Sequence, residues 1–327
     1  MPIGLLLVRP QDQRRLQGEM TMGSRLLRSL AYTLVICCVA APFLHGQSAT
    51  APYDPITMDP PVRDAVNPPG MGELFFQSAG ERLNGFLYVA SGPGPHPTVI
   101  LLHGSPGNER NLDLGQAIRR GGVNVLYFNY RGSWGSGGLF SRTNALEDVT
   151  AALRYVRSKE AIDRYRGDAS RVALVGHSMG GWLALMGTSA DANVGCVAAL
   201  DLSDAGATGR RLQVDGEAEA TTAATLEGLT APGGPYRAKS VASLVTELKV
   251  HADAWDLTRH ALSLSTRPLL LISAVNKTDQ EALTSALSKA GAQRLTTLAW
   301  TTDHSFSDRR IELARTVVGW LHSSCGF

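Results

Sequence analysis

Cysteine is scarce in this chain, with only four among 327 residues. Cys37 and Cys38 lie in an apolar run near the N-terminus, which leaves Cys196 and Cys325 for the remainder. Two cysteines can form one disulfide in an oxidising compartment, but they exclude a small domain built on a disulfide framework. Cys196, in the apolar run VGCVAAL, is interpreted as a small core residue. The chain is 44 % hydrophobic, so it can bury a large core instead.

The chain also lacks a large excess of positive or negative charge. Charged residues make up 18 % of the chain and the formal net charge is +2, so nothing favours a nucleic-acid partner. The zinc motif H-E-x-x-H does not occur, and the pairs His251/Asp253 and Asp303/His304 lack a third partner at ligand spacing. The sequence therefore predicts no metal, no cofactor and no nucleic-acid partner.

The apolar run at residues 30–44 is shorter than the roughly 20 residues that a membrane-spanning helix needs. Arginines precede this run and small polar residues follow it, which is typical of a secretory signal. Residues 1–47 are therefore interpreted as a signal peptide. Met20 or Met22 is an alternative to the first residue as its true start. We expect a secreted or periplasmic protein without a stable membrane span, and a retained membrane anchor is the less favoured alternative.

Two organisational features follow the predicted signal. Residues 48–71 are rich in proline and indicate an extended lead-in. From residue 72 to residue 327, short apolar strands alternate with amphipathic helices, which predicts an α/β fold with a mainly parallel sheet and helices on both faces. Residues 204–265 interrupt this alternation with a polar, alanine-rich, helical pattern. We interpret this segment as an inserted helical cap, with a partly disordered excursion as the alternative.

The run Gly176-His177-Ser178-Met179-Gly180 has the pattern G-x-S-x-G. An apolar strand pattern precedes it and an apolar helical pattern follows it, which is the context in which this motif exposes a serine on a tight turn. A helix N-terminus beneath the serine favours developing negative charge. Ser178 is therefore the candidate nucleophile of an acyl-transfer site.

A serine hydroxyl needs a base and an oxyanion site before it can react. His304 follows a predicted strand and precedes the last helix, which places it at the carboxyl edge of the sheet and makes it the candidate base. The run HGSPG at residues 103–107 also follows a strand, so the backbone amides of Ser105 and Met179 are the candidate oxyanion donors. His103 is interpreted as a structural hydrogen-bonding group under this turn.

The segments HGSPG, YRGSWGSGG, GHSMGG and DHSFSDRR occur in this order. Together they resemble bacterial α/β-hydrolases of the serine esterase and peptidase superfamily, close to dienelactone hydrolases and prolyl-oligopeptidase catalytic domains. The resemblance covers residues 73–321. It implies an α/β-hydrolase fold with Ser178 as nucleophile, His304 as base and an acid after the strand at 268–273, but it does not specify a substrate.

The expected acid loop, within LLLISAVNKTDQ, departs from this pattern. Counting forward from the strand reaches Asn276 and Lys277. A lysine cation would disfavour the imidazolium that forms during catalysis, and an asparagine supplies no charge. Asp279 is the favoured acid if the loop is longer than usual. Asp201 or Asp204, after the preceding strand, is the alternative.

The function predicted from these features is a serine hydrolase that cleaves an ester or related acyl bond in a small-molecule substrate. A carboxylesterase is favoured because a cap and a modest pocket suit small acyl groups. A secreted serine exopeptidase or aminopeptidase is one alternative. A non-catalytic binding protein that has kept the fold is the other.

Overall fold

The computed structural model describes residues 52–327, so the predicted signal peptide lies outside the described part. The strands of this part are β1 (Gly70–Ser78), β2 (Glu81–Val89), β3 (His96–Leu102), β4 (Asn124–Phe128), β5 (Gly167–His177), β6 (Cys196–Leu200), β7 (Leu269–Ser273) and β8 (Leu295–Ala299). They form one sheet in the order β1-β2-β4-β3-β5-β6-β7-β8. Strands β1 and β2 pair antiparallel with each other and β2 pairs antiparallel with β4, and the other neighbours are parallel.

The central strands are buried on both faces because helices cover both sides of the sheet. Every residue of β3, β4, β6 and β7 is buried, which matches their continuous apolar sequences. The helices are α1 (Leu112–Arg120), α2 (Arg142–Val156), α3 (Lys159–Tyr165), α4 (Met179–Ala190), α5 (Ala205–Val214), α6 (Gly216–Thr230), α7 (Val241–Val250), α8 (Ala261–Leu264), α9 (Lys277–Lys289) and α10 (Arg310–Cys325). The predicted fold class, a mainly parallel sheet between two helical layers, is confirmed.

The two helical layers enclose separate apolar cores. Helices α1 and α10 pack on one face of the sheet, while α2, α4 and α9 contribute to the core on the other face. Ile56 of the proline-rich lead-in is buried in the α1/α10 core, and Asp54 pairs with Arg315 of α10 at 2.8 Å. Across residues 52–327, no helix is both long enough and apolar enough to cross a membrane.

The segment between β6 and β7 is helical, containing α5, α6, α7, α8 and a 3₁₀ turn at Leu257–His260. It rests on α4, where the Trp182 indole N–H donates to the carbonyl oxygen of Trp255 at 3.0 Å. Helices α5 and α7 approach closely at Gly209, since a Cβ there would lie 2.1 Å from the Leu248 carbonyl oxygen. We call the segment from α5 to α8 the cap.

A disulfide joins Cys196 of β6 to Cys325 at the end of α10. Cys196 is thus more than the small core residue that its apolar surroundings indicate. The two cysteines are 129 positions apart in the sequence, and a cross-link over a loop of this length restricts the unfolded chain strongly. The bond ties the last helix to the middle of the sheet.

Candidate active site

Four polar residues follow parallel strands at the same edge of the sheet. Ser178 follows β5, Asp201 follows β6, His304 lies in the loop after β8, and His103 follows β3. Because these strands run in the same direction, their carboxyl ends meet at one edge, where ligands bind in open α/β sheets. Burial of the sheet on both sides therefore leaves this edge as the place for chemistry.

Ser178 sits on a strained turn between β5 and α4. Its φ of 57° and ψ of −122° are a backbone conformation that non-glycine residues rarely adopt. The flanking glycines allow the turn to pack: a Cβ at Gly176 would lie 1.9 Å from the Gly180 carbonyl oxygen, and one at Gly180 would lie 2.2 Å from that of Leu102. The Ser178 amide donates to the Leu200 carbonyl oxygen at 2.9 Å, which fixes the turn to the end of β6.

His304 and Asp201 form a short hydrogen bond between the Nδ1 atom of the ring and Oδ2 of the carboxylate, at 2.5 Å. A carboxylate can only accept, so Nδ1 donates, and in the neutral ring Nε2 then keeps its lone pair. The Asp201 side chain is fully buried, whereas that of His304 is 41 % exposed. With the ring neutral, this pairing leaves the lone pair of Nε2 free to accept a proton, as a base requires.

The loop after β7 holds the carboxylate of Asp201. The amides of Ala274 and Asn276 donate to its Oδ1 atom at 2.7 and 2.9 Å. Burial opposes ionisation of Asp201, but the hydrogen bonds from His304 and from these two amides outweigh it and hold its pKa below the usual range. Asp201 therefore stays charged while facing the ring.

Asp279, the acid favoured by the sequence, does not lie against His304. It stands in the first turn of α9, where its Oδ2 atom accepts the Asp204 amide at 2.9 Å, and burial raises its pKa. Asp204 itself caps α5 by accepting the Gly206 amide at 2.8 Å. The prediction that Asp279 reaches His304 was wrong, because the loop after β7 leads directly into α9 and is not longer than usual. Asn276 in this loop bonds to Asp201 instead.

Two other histidines adjoin the site, and both are buried. His103 donates from Nδ1 to the Gly104 carbonyl oxygen at 2.8 Å, and burial lowers its pKa to about 4. His177 donates from Nε2 to the carbonyl oxygen of His304 at 2.7 Å. Burial, together with the neighbouring His304, lowers the pKa of His177 to about 4. Both rings are neutral supports for the loops that carry the reactive groups.

The HGSPG loop, residues 103–107, forms one wall of a cleft of about 140 Å³. Ser178 and His304 line the same cleft. Gly104 lies against the nucleophile, since a Cβ there would be 2.8 Å from the Cβ of Ser178. Within residues 52–327, the amides of Ser105 and Met179 donate to no protein acceptor, so they are available to a ligand. Met179 is also the first residue of α4, where the helix dipole favours an anion.

Metal ligands do not cluster at this edge or elsewhere in the described residues. No group of three or more histidine, cysteine, aspartate or glutamate side chains in that part of the chain is arranged to hold a metal ion. The polar groups of the cleft are instead one hydroxyl, one imidazole paired with a carboxylate, and free backbone amides. This set is suited to nucleophilic attack on a carbonyl carbon.

The sequence pattern that defines the alpha/beta hydrolase family matches residues 99–320. The chain belongs to the alpha/beta hydrolase family. An uncharacterized protein of Mycobacterium tuberculosis H37Rv is 26 % identical to this alpha/beta hydrolase over 168 residues, which cover 50 % of this chain and 58 % of the relative. The chain thus spans little more than half the length of that curated relative.

Solved structures of other hydrolases share this fold. An esterase of Pyrococcus furiosus superposes with a TM-score of 0.54 at 19 % identity, covering 79 % of this chain and 93 % of that one. An acylaminoacyl peptidase of Pyrococcus horikoshii superposes with a TM-score of 0.58 at 15 % identity, covering 78 % of this chain and 42 % of that one. At such identities the likeness shows the fold alone. This alpha/beta hydrolase therefore shares its architecture with both an esterase and a peptidase.

Two side chains that no sequence pattern indicated hold the HGSPG loop. The Trp134 indole N–H donates to the Pro106 carbonyl oxygen at 2.7 Å, and the Tyr236 hydroxyl donates to Ser105 Oγ at 2.7 Å. Trp134 lies in the glycine-rich run YRGSWGSGG. Tyr236 comes from the cap, more than 130 positions from Ser105, and no local pattern signals such a contact.

Proposed function

We propose that this protein is a serine hydrolase that cleaves a small carboxylic ester through an acyl-enzyme. The observation that carries the proposal is the sharing of one cleft by Ser178 and His304, with His304 hydrogen-bonded to the buried Asp201. Ser178, His304 and Asp201 are thus proposed as nucleophile, base and acid. The amides of Ser105 and Met179 are proposed as the oxyanion donors.

In the proposed reaction, Oγ of Ser178 attacks the carbonyl carbon while its proton passes to Nε2 of His304. The carbonyl oxygen becomes an oxyanion, which the amides of Ser105 and Met179 stabilise. The tetrahedral species then collapses, breaking the bond to the alcohol oxygen, which takes the proton from His304. Water repeats the sequence on the acyl group, releases the acid and restores Ser178.

The cleft of about 140 Å³ favours a small acyl group in this proposal. A peptidase that releases an N-terminal residue is the second candidate. The observation that favours it is Glu109, a residue that lines the same cleft and carries a carboxylate that could bind a substrate ammonium group. The Glu109 Oε1 atom already accepts the Asn111 amide at 2.6 Å, so this carboxylate is held in place.

A substrate panel tests the proposed function. We expect the purified protein to hydrolyse short-chain 4-nitrophenyl esters and to leave aminoacyl 4-nitroanilides largely uncleaved. Prior treatment with a fluorophosphonate should abolish the activity. Faster turnover of the aminoacyl anilides would favour the peptidase, and a folded protein that turns over neither class would overturn the hydrolase assignment.

Replacing Gly104 by alanine should block the cleft while leaving the fold intact. The new methyl group would lie 2.8 Å from Cβ and 3.4 Å from Oγ of Ser178, so one of the two must shift. A misplacement of this size at a reacting atom lowers ester turnover by about 100-fold. Gly228→Ala is the matched control, since a Cβ at Gly228 of α6 meets nothing within 4 Å. Equal activity of the two variants would show that Gly104 does not adjoin the reacting centre.

We also propose that the protein is exported, as the sequence of residues 1–47 predicts. The disulfide between Cys196 and Cys325 supports this, because such bonds persist in oxidising compartments. Fractionation of cells expressing the full chain, followed by N-terminal sequencing, tests it. Recovery of uncleaved protein with free thiols from the cytoplasm would contradict export.

A further inference from the structure

One side chain of the cap reaches the catalytic edge of the sheet. Tyr236 lies between α6 and α7, and its hydroxyl donates to Ser105 Oγ at 2.7 Å. The residue is 2 % exposed, so this hydrogen bond is shielded from water. Ser105 is also the residue whose backbone amide is proposed as an oxyanion donor. The contact therefore connects the cap to a group that would stabilise the transition state.

The ring of Tyr236 is fixed by its surroundings. It stacks on Phe140 with ring centroids 3.9 Å apart and an angle of 2° between the planes. Its amide donates to the Leu229 carbonyl oxygen at the end of α6, at 3.0 Å, and the residue pairs with Ser133 in an isolated β-bridge. A hydroxyl on a ring held in this way has one position available to it.

The backbone beside Tyr236 joins the cap to the glycine-rich loop after β4. The Arg237 amide donates to the Gly132 carbonyl oxygen at 2.7 Å, and the Phe140 amide donates to that of Arg237 at 2.6 Å. Gly132 has a φ of 65°, and a Cβ there would lie 2.5 Å from the Arg237 carbonyl oxygen. The loop and the cap thus form one packed unit behind Ser105.

The Tyr236 hydroxyl remains a neutral donor. Burial raises its pKa to about 12, although the hydrogen bond with Ser105 and the nearby Arg142 cation act in the opposite direction. A hydroxyl with a pKa of about 12 stays protonated, and so keeps the same hydrogen bond, throughout the working pH of a hydrolase. Loss of the hydroxyl should therefore lower the rate without changing the shape of the pH profile.

The hydrogen bond at the Ser105 side chain also restricts the position of the Ser105 backbone amide, because side chain and amide are both attached to Cα. The opposite end of the same turn is held by the Trp134 indole at the Pro106 carbonyl oxygen. We propose that Tyr236 is a positioning residue that acts through Ser105 to aim the oxyanion amide into the cleft. This inference rests on the proposed function, and it assigns the cap a role in transition-state stabilisation.

The test compares Tyr236→Phe, Ser105→Ala and the double variant with the wild-type protein. Tyr236→Phe keeps the stacked ring and removes one hydroxyl, so kcat for a 4-nitrophenyl ester should fall roughly ten- to 100-fold, with KM changed less than about twofold. Ser105→Ala removes the other partner and should show a similar loss. Because both act through one hydrogen bond, the double variant should be no slower than the slower single variant.

Tyr155→Phe is the matched control, because Tyr155 of α2 stacks on Phe76 at the β1 edge of the sheet. It should retain wild-type kcat. The inhibition constant of an aryl boronic acid, whose tetrahedral adduct places an oxygen in the oxyanion site, should rise with the loss of kcat in Tyr236→Phe. If Tyr236 only anchored the cap, Tyr236→Phe would lower the melting temperature of the protein without raising this inhibition constant.

Two results would overturn the inference alone: wild-type kcat in Tyr236→Phe, or losses in the two single variants that multiply in the double variant. A wild-type protein that does not react with a fluorophosphonate would overturn the proposed function, and this inference with it. Reactivity of the wild-type protein thus distinguishes the two failures.

Discussion

The Asp201→Asn variant should lose about 10⁴-fold in ester turnover, the loss that the same change causes in a related serine triad. In the wild-type protein, Oδ1 of Asp201 accepts two backbone amides while Oδ2 faces His304. An asparagine would keep its oxygen on the amides and turn its NH₂ group toward the ring. Nδ1 of His304 would then accept, Nε2 would carry the proton, and no base would face Ser178.

Asp279→Asn is the matched control for this experiment. Asp279 accepts the Asp204 amide, and an asparagine oxygen can accept the same hydrogen bond. Its turnover should stay within about twofold of wild type, since surface and half-buried changes away from the reacting groups have small effects. A large loss in Asp279→Asn together with a fully active Asp201→Asn would show that Asp279 is the acid in solution. Far-ultraviolet circular dichroism should verify that both variants are folded.

Replacing Ser178 by alanine should have the largest effect, with turnover falling by about 10⁶-fold, as for the catalytic serine of a protease with a different fold. The change removes only Oγ, and alanine has no other group that can form an acyl-enzyme. The Ser178 amide would still donate to Leu200, so the turn should keep its place. Initial rates on a 4-nitrophenyl ester at high enzyme concentration measure the residual activity.

Ser189→Ala provides the comparison for the serine substitution. Ser189 lies on α4, the helix that begins after Ser178, and its Oγ bonds to His260 and Ser263 of the cap. This variant should retain activity within a few-fold of wild type, because its contacts are remote from the cleft. If Ser178→Ala instead keeps turnover within tenfold of wild type, the acyl-enzyme route is wrong.

The alternation of strands and helices could be predicted from the sequence because it depends on local patterns. Short apolar runs such as β6 and β7 are buried on both faces, and the sequence shows this directly. Ser178 and His304 each follow a strand, so their positions at one edge follow from the direction of the parallel strands. A local pattern combined with one topological rule was sufficient there.

The acid could not be predicted in the same way. Asp201 and the loop around Asn276 follow neighbouring strands, so both lie at the correct edge of the sheet. The choice depends on backbone conformation: Asp201 has a φ of 43°, and the Asn276 amide turns toward it. These features arise from contacts between segments about 75 positions apart, which no local pattern records. The loop after β7 supplies amide donors to Asp201, the proposed acid.

The contact between Tyr236 and Ser105 could not be predicted from the sequence, for a related reason. The cap could be identified by its composition and length, but its docking on the glycine-rich loop depends on close backbone approaches at Gly132. Only the three-dimensional packing brings the cap side chain to the HGSPG loop. Positions of this kind are found from structure, even where the helices that carry them are predicted from sequence.

Reaction of the purified protein with a fluorophosphonate, followed by peptide mass spectrometry, tests the central claim most directly. We expect one adduct per chain, located on Ser178, formed rapidly by wild type and at least about 10³-fold more slowly by Asp201→Asn, because only a paired His304 activates the serine. A folded protein that gains no adduct, or one labelled at a residue other than Ser178, would contradict it.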